Sequence, residues 1–199
     1  KNNLYLFDSG AQYLDGTTDI TRTISIGDNP SDEQKDRFTR VLKGNIKLSM
    51  HCFNERTIGS MLDKIARKYL KKKNYDYPHG TGHGVGSYSS VHEGPLSISK
   101  KSKTRFKKGM ILTNEPGFYK ANEYGIRIEN ILLIIKKKKF LTFDVLTCAP
   151  IDTKLIENKL LNIQEKKWLN NYHNRVFNKI NKYLNEKETN WLREKTLPI

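Results

Sequence analysis

The chain has 199 residues, 36% of them hydrophobic, two cysteines and a formal net charge of +15. That length supports one sizeable core, the apolar share excludes a disordered chain, and two cysteines exclude a disulfide framework or a thiolate zinc site. No apolar run reaches membrane-spanning length, and much of the excess charge lies in runs of lysine without interleaved aromatics (Lys71–Lys73, Lys107–Lys108, Lys136–Lys139), a solvated surface rather than a nucleic-acid interface.

The chain opens at Lys1 rather than Met and enters a strand at once, so it reads as a piece of something longer. Leu4–Phe7 and Ile20–Ile26 are predicted strands, separated by a turn-rich segment containing Asp15-Gly16. Ser31 and Gln34 have capping-box spacing, and Phe38, Val41, Leu42, Ile46 and Leu48 follow with helical spacing. A second helix is predicted over Thr57–Leu70. Gly80, Gly82, Gly84 and Gly86 mark an irregular loop, and Met110–Thr113 is a short strand leading to Glu115. Ile126–Ile135 and Phe140–Leu146 read as a hairpin joined by lysines. Trp168, Leu169, Tyr172, Val176, Phe177, Ile180, Tyr183 and Leu184 form a helical stripe. The expected architecture is one α+β domain, residues 1–150, with a C-terminal helical extension, 151–199, packed on it.

Five polar residues stand in sharply marked contexts: Asp8, Asp19, His83, Glu115 and Glu129. Asp8 ends an apolar run, Asp19 opens Asp19-Ile20-Thr21-Arg22-Thr23, and His83 lies in a glycine-rich segment. Glu115 precedes Pro116-Gly117, and Glu129 follows Gly125-Ile126-Arg127-Ile128. Four carboxylates and one imidazole form a donor set for two hard or borderline divalent cations. Such a pair, about 3.5–4 Å apart, can lower the pKa of bound water to roughly 7, so no serine or cysteine nucleophile is needed. Taken singly, each residue has an ordinary reading as a turn cap, a surface acid or a satisfied loop histidine; the five together favour the metal site. Elsewhere the ordinary reading holds. Asp15 is a turn former, His51 and His173 are structural or surface positions on helices, and Cys52 and Cys148 are core or strand residues.

The segments Asp8-Ser9-Gly10, Asp19-Ile20-Thr21-Arg22-Thr23, His79-Gly80-Thr81-Gly82-His83-Gly84-Val85-Gly86, Val91-His92-Glu93-Gly94-Pro95, Asn114-Glu115-Pro116-Gly117-Phe118-Tyr119 and Gly125-Ile126-Arg127-Ile128-Glu129-Asn130 together resemble the pita-bread metallopeptidases, specifically the Xaa-Pro aminopeptidase (aminopeptidase P) family. The tail, Trp168 to His173 and Trp191 to Ile199, is similar to the long eukaryotic-type members. The resemblance implies a creatinase/aminopeptidase-like fold and two divalent ions, manganese being usual. Asp8 would bind one ion, His83 and Glu115 the other, and Asp19 and Glu129 would bridge. A hydroxide shared by the ions would attack the scissile carbonyl, with Glu115 accepting the proton. His92 would hydrogen-bond the substrate, His79 would line the proline pocket, and Arg127 would orient a ligand carboxylate. The substrate would be a peptide with proline second. A Xaa-Pro bond lacks an amide N–H and has a ring-fixed φ, so it suits a site that reads shape.

The resemblance further implies a homodimer and upstream domains of the same protein. It also implies another active-site histidine upstream of Asp8, for which this chain has no room. The sparing use of cysteine mildly favours a reducing compartment, and the cytoplasm is the expected location; neither membrane nor nucleic acid is an expected partner. Prolidase shares the ligand set but differs from Val91-His92-Glu93-Gly94-Pro95 and from the tail. Methionine aminopeptidase differs at the His79–His83 segment. A non-catalytic binding module on the same scaffold would not be expected to keep five converging polar groups.

Overall fold

The computed structural model describes residues 3–199. Asn3–Tyr13 (β1) and Gly16–Ile26 (β2) form a long antiparallel ribbon across a tight turn, pairing Asp8 with Thr21 and Gly10 with Asp19. Both strands run further than their apolar cores predict, because the ladder continues through polar residues to Tyr13 and Gly16. Thr21, Arg22 and Thr23 are all buried, so the ribbon is covered on both faces there.

Asp32–Ser49 (α1) begins with the predicted capping box between Ser31 and Gln34. Gly59–Lys71 (α2) packs across it. Gly44 makes the close crossing possible: a Cβ there would lie 2.3 Å from the Ala66 carbonyl oxygen.

Seven more strands follow: Gly82–Gly84 (β3), Glu93–Ile98 (β4), Ile111–Asn114 (β5), Gly117–Lys120 (β6), Tyr124–Arg127 (β7), Asn130–Lys137 (β8) and Phe140–Val145 (β9). A five-stranded antiparallel sheet has the order β4-β3-β5-β8-β9, while β6 and β7 form a separate hairpin. Two expectations change here. The glycine-rich segment contributes a strand, β3, since Gly82 carries no side chain and can press against β5; a Cβ there would lie 2.0 Å from the Thr113 carbonyl oxygen. The single strand expected over Ile126–Ile135 is two. At the break, Ile128 N–H donates to the Pro116 carbonyl (3.3 Å) and Glu129 N–H to the Thr21 carbonyl (3.1 Å), so this backbone ties to other elements.

Ile163–Ile180 (α3) and Glu186–Lys195 (α4) are each opened by a capping box, Asn162 with Glu165 and Asn185 with Glu188. The continuous stripe predicted to Leu184 is therefore broken after Ile180. Leu169, Tyr172, Val176 and Leu192 join the same buried cluster as Phe38, Leu42, Ile126 and Leu132. His173 is a buried helical residue, whereas His51 follows α1 rather than lying on it. Cys52 is exposed and Cys148 half-buried, and both stand outside strands, contrary to the core or strand reading. Among the described residues no helix is long and apolar enough to cross a membrane.

Candidate metal centre

The ribbon meets the sheet where β2 contacts β7 and β8. A cavity of about 410 Å³ opens there, and its lining includes Asp8, Asp19, His83, His92, Glu115 and Glu129. A more apolar hollow of about 530 Å³ adjoins it, sharing Thr17, Thr18 and Asp19; its lining has no imidazole and no glutamate.

Each donor is aimed by its own element. Asp8 and Asp19 project from β1 and β2, His83 from β3, Glu115 from the end of β5, and Glu129 from the break between β7 and β8. One donor atom from each of Asp19, His83 and Glu129 lies within 4.8 Å of the others. His83 Nε2 is 3.4 Å from Asp19 Oδ2 and 3.4 Å from Glu115 Oε1. The other ring nitrogen, Nδ1, donates to the Gly84 carbonyl oxygen (2.9 Å), so Nε2 is the nitrogen that faces the carboxylates. Asp8 is the most open of the five; its Oδ2 accepts from Arg127 Nη2 at 2.5 Å.

The supporting bonds run from a buried core at Thr21 outward to an exposed rim at Tyr119. Thr21 Oγ1 donates to Glu129 Oε2 (2.6 Å) and accepts from Arg127 Nε (3.1 Å). Thr113 Oγ1 donates to Glu115 Oε1 (3.1 Å). Arg127 Nη1 donates to the Tyr119 hydroxyl (3.0 Å), which donates to His79 Nε2 (2.7 Å). Arg127 thus touches one carboxylate, Asp8, directly and a second, Glu129, through Thr21. His92 stands over His83, with ring centroids 4.3 Å apart in an edge-on arrangement. His79 does not line the cavity: it packs on Tyr77 and reaches the carboxylates only through Tyr119 and Arg127.

The crowding of acids has electrostatic consequences. Burial, reinforced by Glu115, Asp19 and Asp8, pushes the Glu129 carboxyl up to about 8 against the Thr21 hydrogen bond. Burial also raises Glu115 above the usual carboxylate range. Burial by itself would lower His83, but the Asp19 carboxylate, the Gly84 carbonyl and Glu115 carry it up to about 8. Burial lowers His79, keeping it neutral near physiological pH. Four carboxylates so placed, with an imidazole lone pair among them, fit cations: divalent charge would release the protons that Glu129 and His83 otherwise hold.

Sequence reasoning assigned no role to Thr21, Tyr119 or Arg22. Thr21 and Arg22 stand inside the motif that opens with Asp19, and Tyr119 inside the one containing Glu115. The partners of Thr21 and Arg22 lie 108 and up to 150 residues away, and spacing carries no sign of that.

The profile of Metallopeptidase family M24 matches residues 1–136, and that of the C-terminal region of peptidase_M24 matches residues 139–199. A probable Xaa-Pro aminopeptidase P from Paracoccidioides brasiliensis (strain Pb03) is 46% identical over 209 residues, covering 98% of this chain and 34% of that protein. One from Coprinopsis cinerea is 45% identical over 212 residues, covering 100% of this chain and 34% of that protein. This chain thus spans about a third of the curated relatives it matches. Among solved structures, an X-prolyl aminopeptidase from Caenorhabditis elegans, described as a cytosolic enzyme with a di-nuclear active site, is similar with a TM-score of 0.94 and 43% identity, over 98% of this chain and 34% of that one. Prolidase from Pyrococcus furiosus is similar with a TM-score of 0.66 and 34% identity, over 73% of this chain and 41% of that one.

Proposed function

Since the chain belongs to metallopeptidase family M24, with the α+β pita-bread fold of that family, we propose that it carries the metal-binding residues of a Xaa-Pro aminopeptidase, which removes the first residue from peptides with proline second. The observation that carries this reading is the convergence of Asp19, His83 and Glu129 donor atoms within 4.8 Å, in a cavity that Asp8, Glu115 and His92 also line. The reading favours aminopeptidase over prolidase because the match to the X-prolyl aminopeptidase from Caenorhabditis elegans takes in the tail, while the match to Pyrococcus furiosus prolidase covers 73% of the chain.

In this proposal Asp8, Asp19, His83, Glu115 and Glu129 hold two divalent ions. Oxygen donors with one imidazole suit manganese. When bound, such a pair supplies an activated water and polarises the scissile carbonyl. The chain's own residues do the rest. Glu115, whose carboxyl burial raises above the usual carboxylate range, would accept the proton and return it to the leaving proline nitrogen. His92, on the cavity wall beside His83, donates to the oxyanion that develops on the carbonyl oxygen. Arg127 aims Asp8 through the bond to its Oδ2. His79 and Tyr119 stand outside this cavity and are linked to it through Arg127, and we assign the proline ring to the surface they form there. A cytoplasmic location is proposed by likeness to the Caenorhabditis elegans enzyme, and further domains of the same protein by the share of the relatives that this chain spans.

The test is hydrolysis of a Xaa-Pro dipeptide beside a longer peptide with proline second, each with manganese and with a chelator. The longer peptide should be cleaved and the chelator should stop it. Cleavage of the dipeptide alone would favour prolidase, and binding without cleavage in manganese would favour a non-catalytic module.

A further inference from the structure

Arg22 is only 3% exposed, and its guanidinium donates to six neutral oxygens. Two are the carbonyls of Thr21 (2.9 Å) and Glu129 (2.5 Å), a third the side chain of Asn130 (2.8 Å). The others belong to the C-terminal region: the carbonyls of Ala149 (3.0 Å) and Pro150 (3.0 Å), and the hydroxyl of Tyr172 on α3 (2.9 Å). A buried cation is expensive to hold unless dipoles or an anionic field compensate it. Here six inward-pointing oxygens supply the dipoles, and Arg22 grips the two backbone segments that carry Asp19 and Glu129.

The far side of the arrangement is itself pinned. Tyr172 stacks flat on Trp168 (5.3 Å between centroids, 2° between planes) and donates its hydroxyl to the Ala149 carbonyl (2.8 Å). The next residue, His173, accepts from Ile151 N–H through Nε2 (3.1 Å). Adjacent side chains of one helix thus fix Ala149 to Ile151, that segment fixes Arg22, and Arg22 fixes the backbone of Thr21 and Glu129. The last link is direct, since Thr21 Oγ1 donates to Glu129 Oε2 (2.6 Å).

We propose that Arg22 is a positioning residue through which helix α3, by way of Tyr172 and the Ala149–Pro150 carbonyls, sets the separation of Asp19 and Glu129 and hence the affinity of the site for divalent cations. This deepens the reading above and rests on it. The C-terminal helical region is then part of the metal centre's construction rather than an appended module.

The test uses the intact protein and manganese alone as the probe, titrated calorimetrically. Tyr172→Phe keeps the ring and its stack but loses the hydroxyl; it should weaken manganese binding by about tenfold, the lower end of what removing such a supporting group costs. Arg22→Met should weaken it more, and Arg22→Lys should recover part of the loss. Leu192→Ala serves as the control. It removes a buried side chain of α4 outside this network, so it should lower the melting temperature at least as far as Tyr172→Phe while leaving manganese affinity within twofold. Wild-type binding with unchanged affinity in Tyr172→Phe would overturn the proposal and leave the metal site standing. Equal weakening by Leu192→Ala would also overturn it, because general loosening would then suffice. Failure of the wild type to bind manganese would remove the functional reading and this inference together. Should Arg22→Met not fold, Tyr172→Phe against Leu192→Ala still decides.

Discussion

Thr21 is the smallest group on which the proposed metal centre depends, and replacing it with valine isolates one oxygen. The residue is fully buried, and valine keeps its branched shape, so no cavity opens. What disappears is a hydroxyl that donates to Glu129 Oε2 at 2.6 Å and accepts from Arg127 Nε at 3.1 Å. A hydrogen bond to a charged group contributes roughly 1.5–3 kcal/mol. With about 1.4 kcal/mol for each tenfold change, manganese affinity should fall by about 10- to 100-fold. The Thr21 bond also opposes the rise in the Glu129 pKa, so losing it lifts that carboxyl further above 8. Protons then compete harder for it, and the deficit should be wider at pH 7 than at pH 9. Calorimetric titration of wild type and Thr21→Val at both values reads this directly. A deficit under twofold at pH 7, or one that does not narrow at pH 9, would refute the assignment of Thr21 as the group that holds Glu129 in its metal-binding state.

Glu129 and His83 both hold protons up to about pH 8, so binding of manganese at pH 7 should release roughly two protons per site, read from the binding heat in buffers of different ionisation enthalpy; release below half a proton would contradict the geometry. Both pKa values are raised on folding, so the metal-free fold should lose stability as pH rises from 4.5 through about 8, more steeply above 6.5 where His83 adds to Glu129, and saturating manganese should abolish that slope in a melting series. His173 has the opposite sign: burial holds it down at about 4 from 6.5, so its stabilisation is complete above pH 6.5 and is lost as pH falls through about 4. That loss amounts to roughly 3 kcal/mol for the fully buried ring, and urea unfolding at pH 7 and 4.5 should reveal most of it in wild type and little in His173→Gln. Gly44→Ala drives a methyl to 2.3 Å from the Ala66 carbonyl oxygen and should destabilise the α1–α2 crossing by about 1–3 kcal/mol in the same assay; an unchanged midpoint would mean the helices separate freely.

Local chemistry was legible in the sequence where cause and effect lie close along the chain. Ser31 and Gln34 cap α1 because a hydroxyl and an amide three residues apart always face each other at a helix start. The same logic was available for Asn185 and Glu188, and the unbroken apolar stripe to Leu184 obscured it. Gly82 read as loop because glycine signals irregular backbone, whereas in this sheet its bare Cα allows β3 to approach β5. The break at Ile128–Glu129 had no local sign, since it comes from bonds to Pro116 and Thr21. The five ligand candidates were legible as types in contexts, and the supporting atoms of Thr21, Tyr119 and Arg22 were not.

That division has a physical cause. For hard or borderline cations the charged or strongly donating side chains are carboxylates and imidazoles, so the candidates are few and each stands out from its surroundings. A group that orients a ligand need only donate or accept a hydrogen bond from the right point, and nearly every polar residue qualifies. Position selects among them, and position is set by chain closure over long separations: Thr21 meets Glu129 across 108 residues and Arg22 meets Tyr172 across 150. The donors themselves lie on the ribbon, on the sheet and at the β7–β8 break, and no single element holds two adjacent ones rigidly without these cross-links. Cations draw such carboxylates together, but in the metal-free chain their mutual repulsion would spread them. The hydrogen bonds of Thr21, Arg22 and Arg127 oppose that spreading, so the arrangement persists before a cation arrives, and affinity is set as much by these supporting contacts as by the ligands.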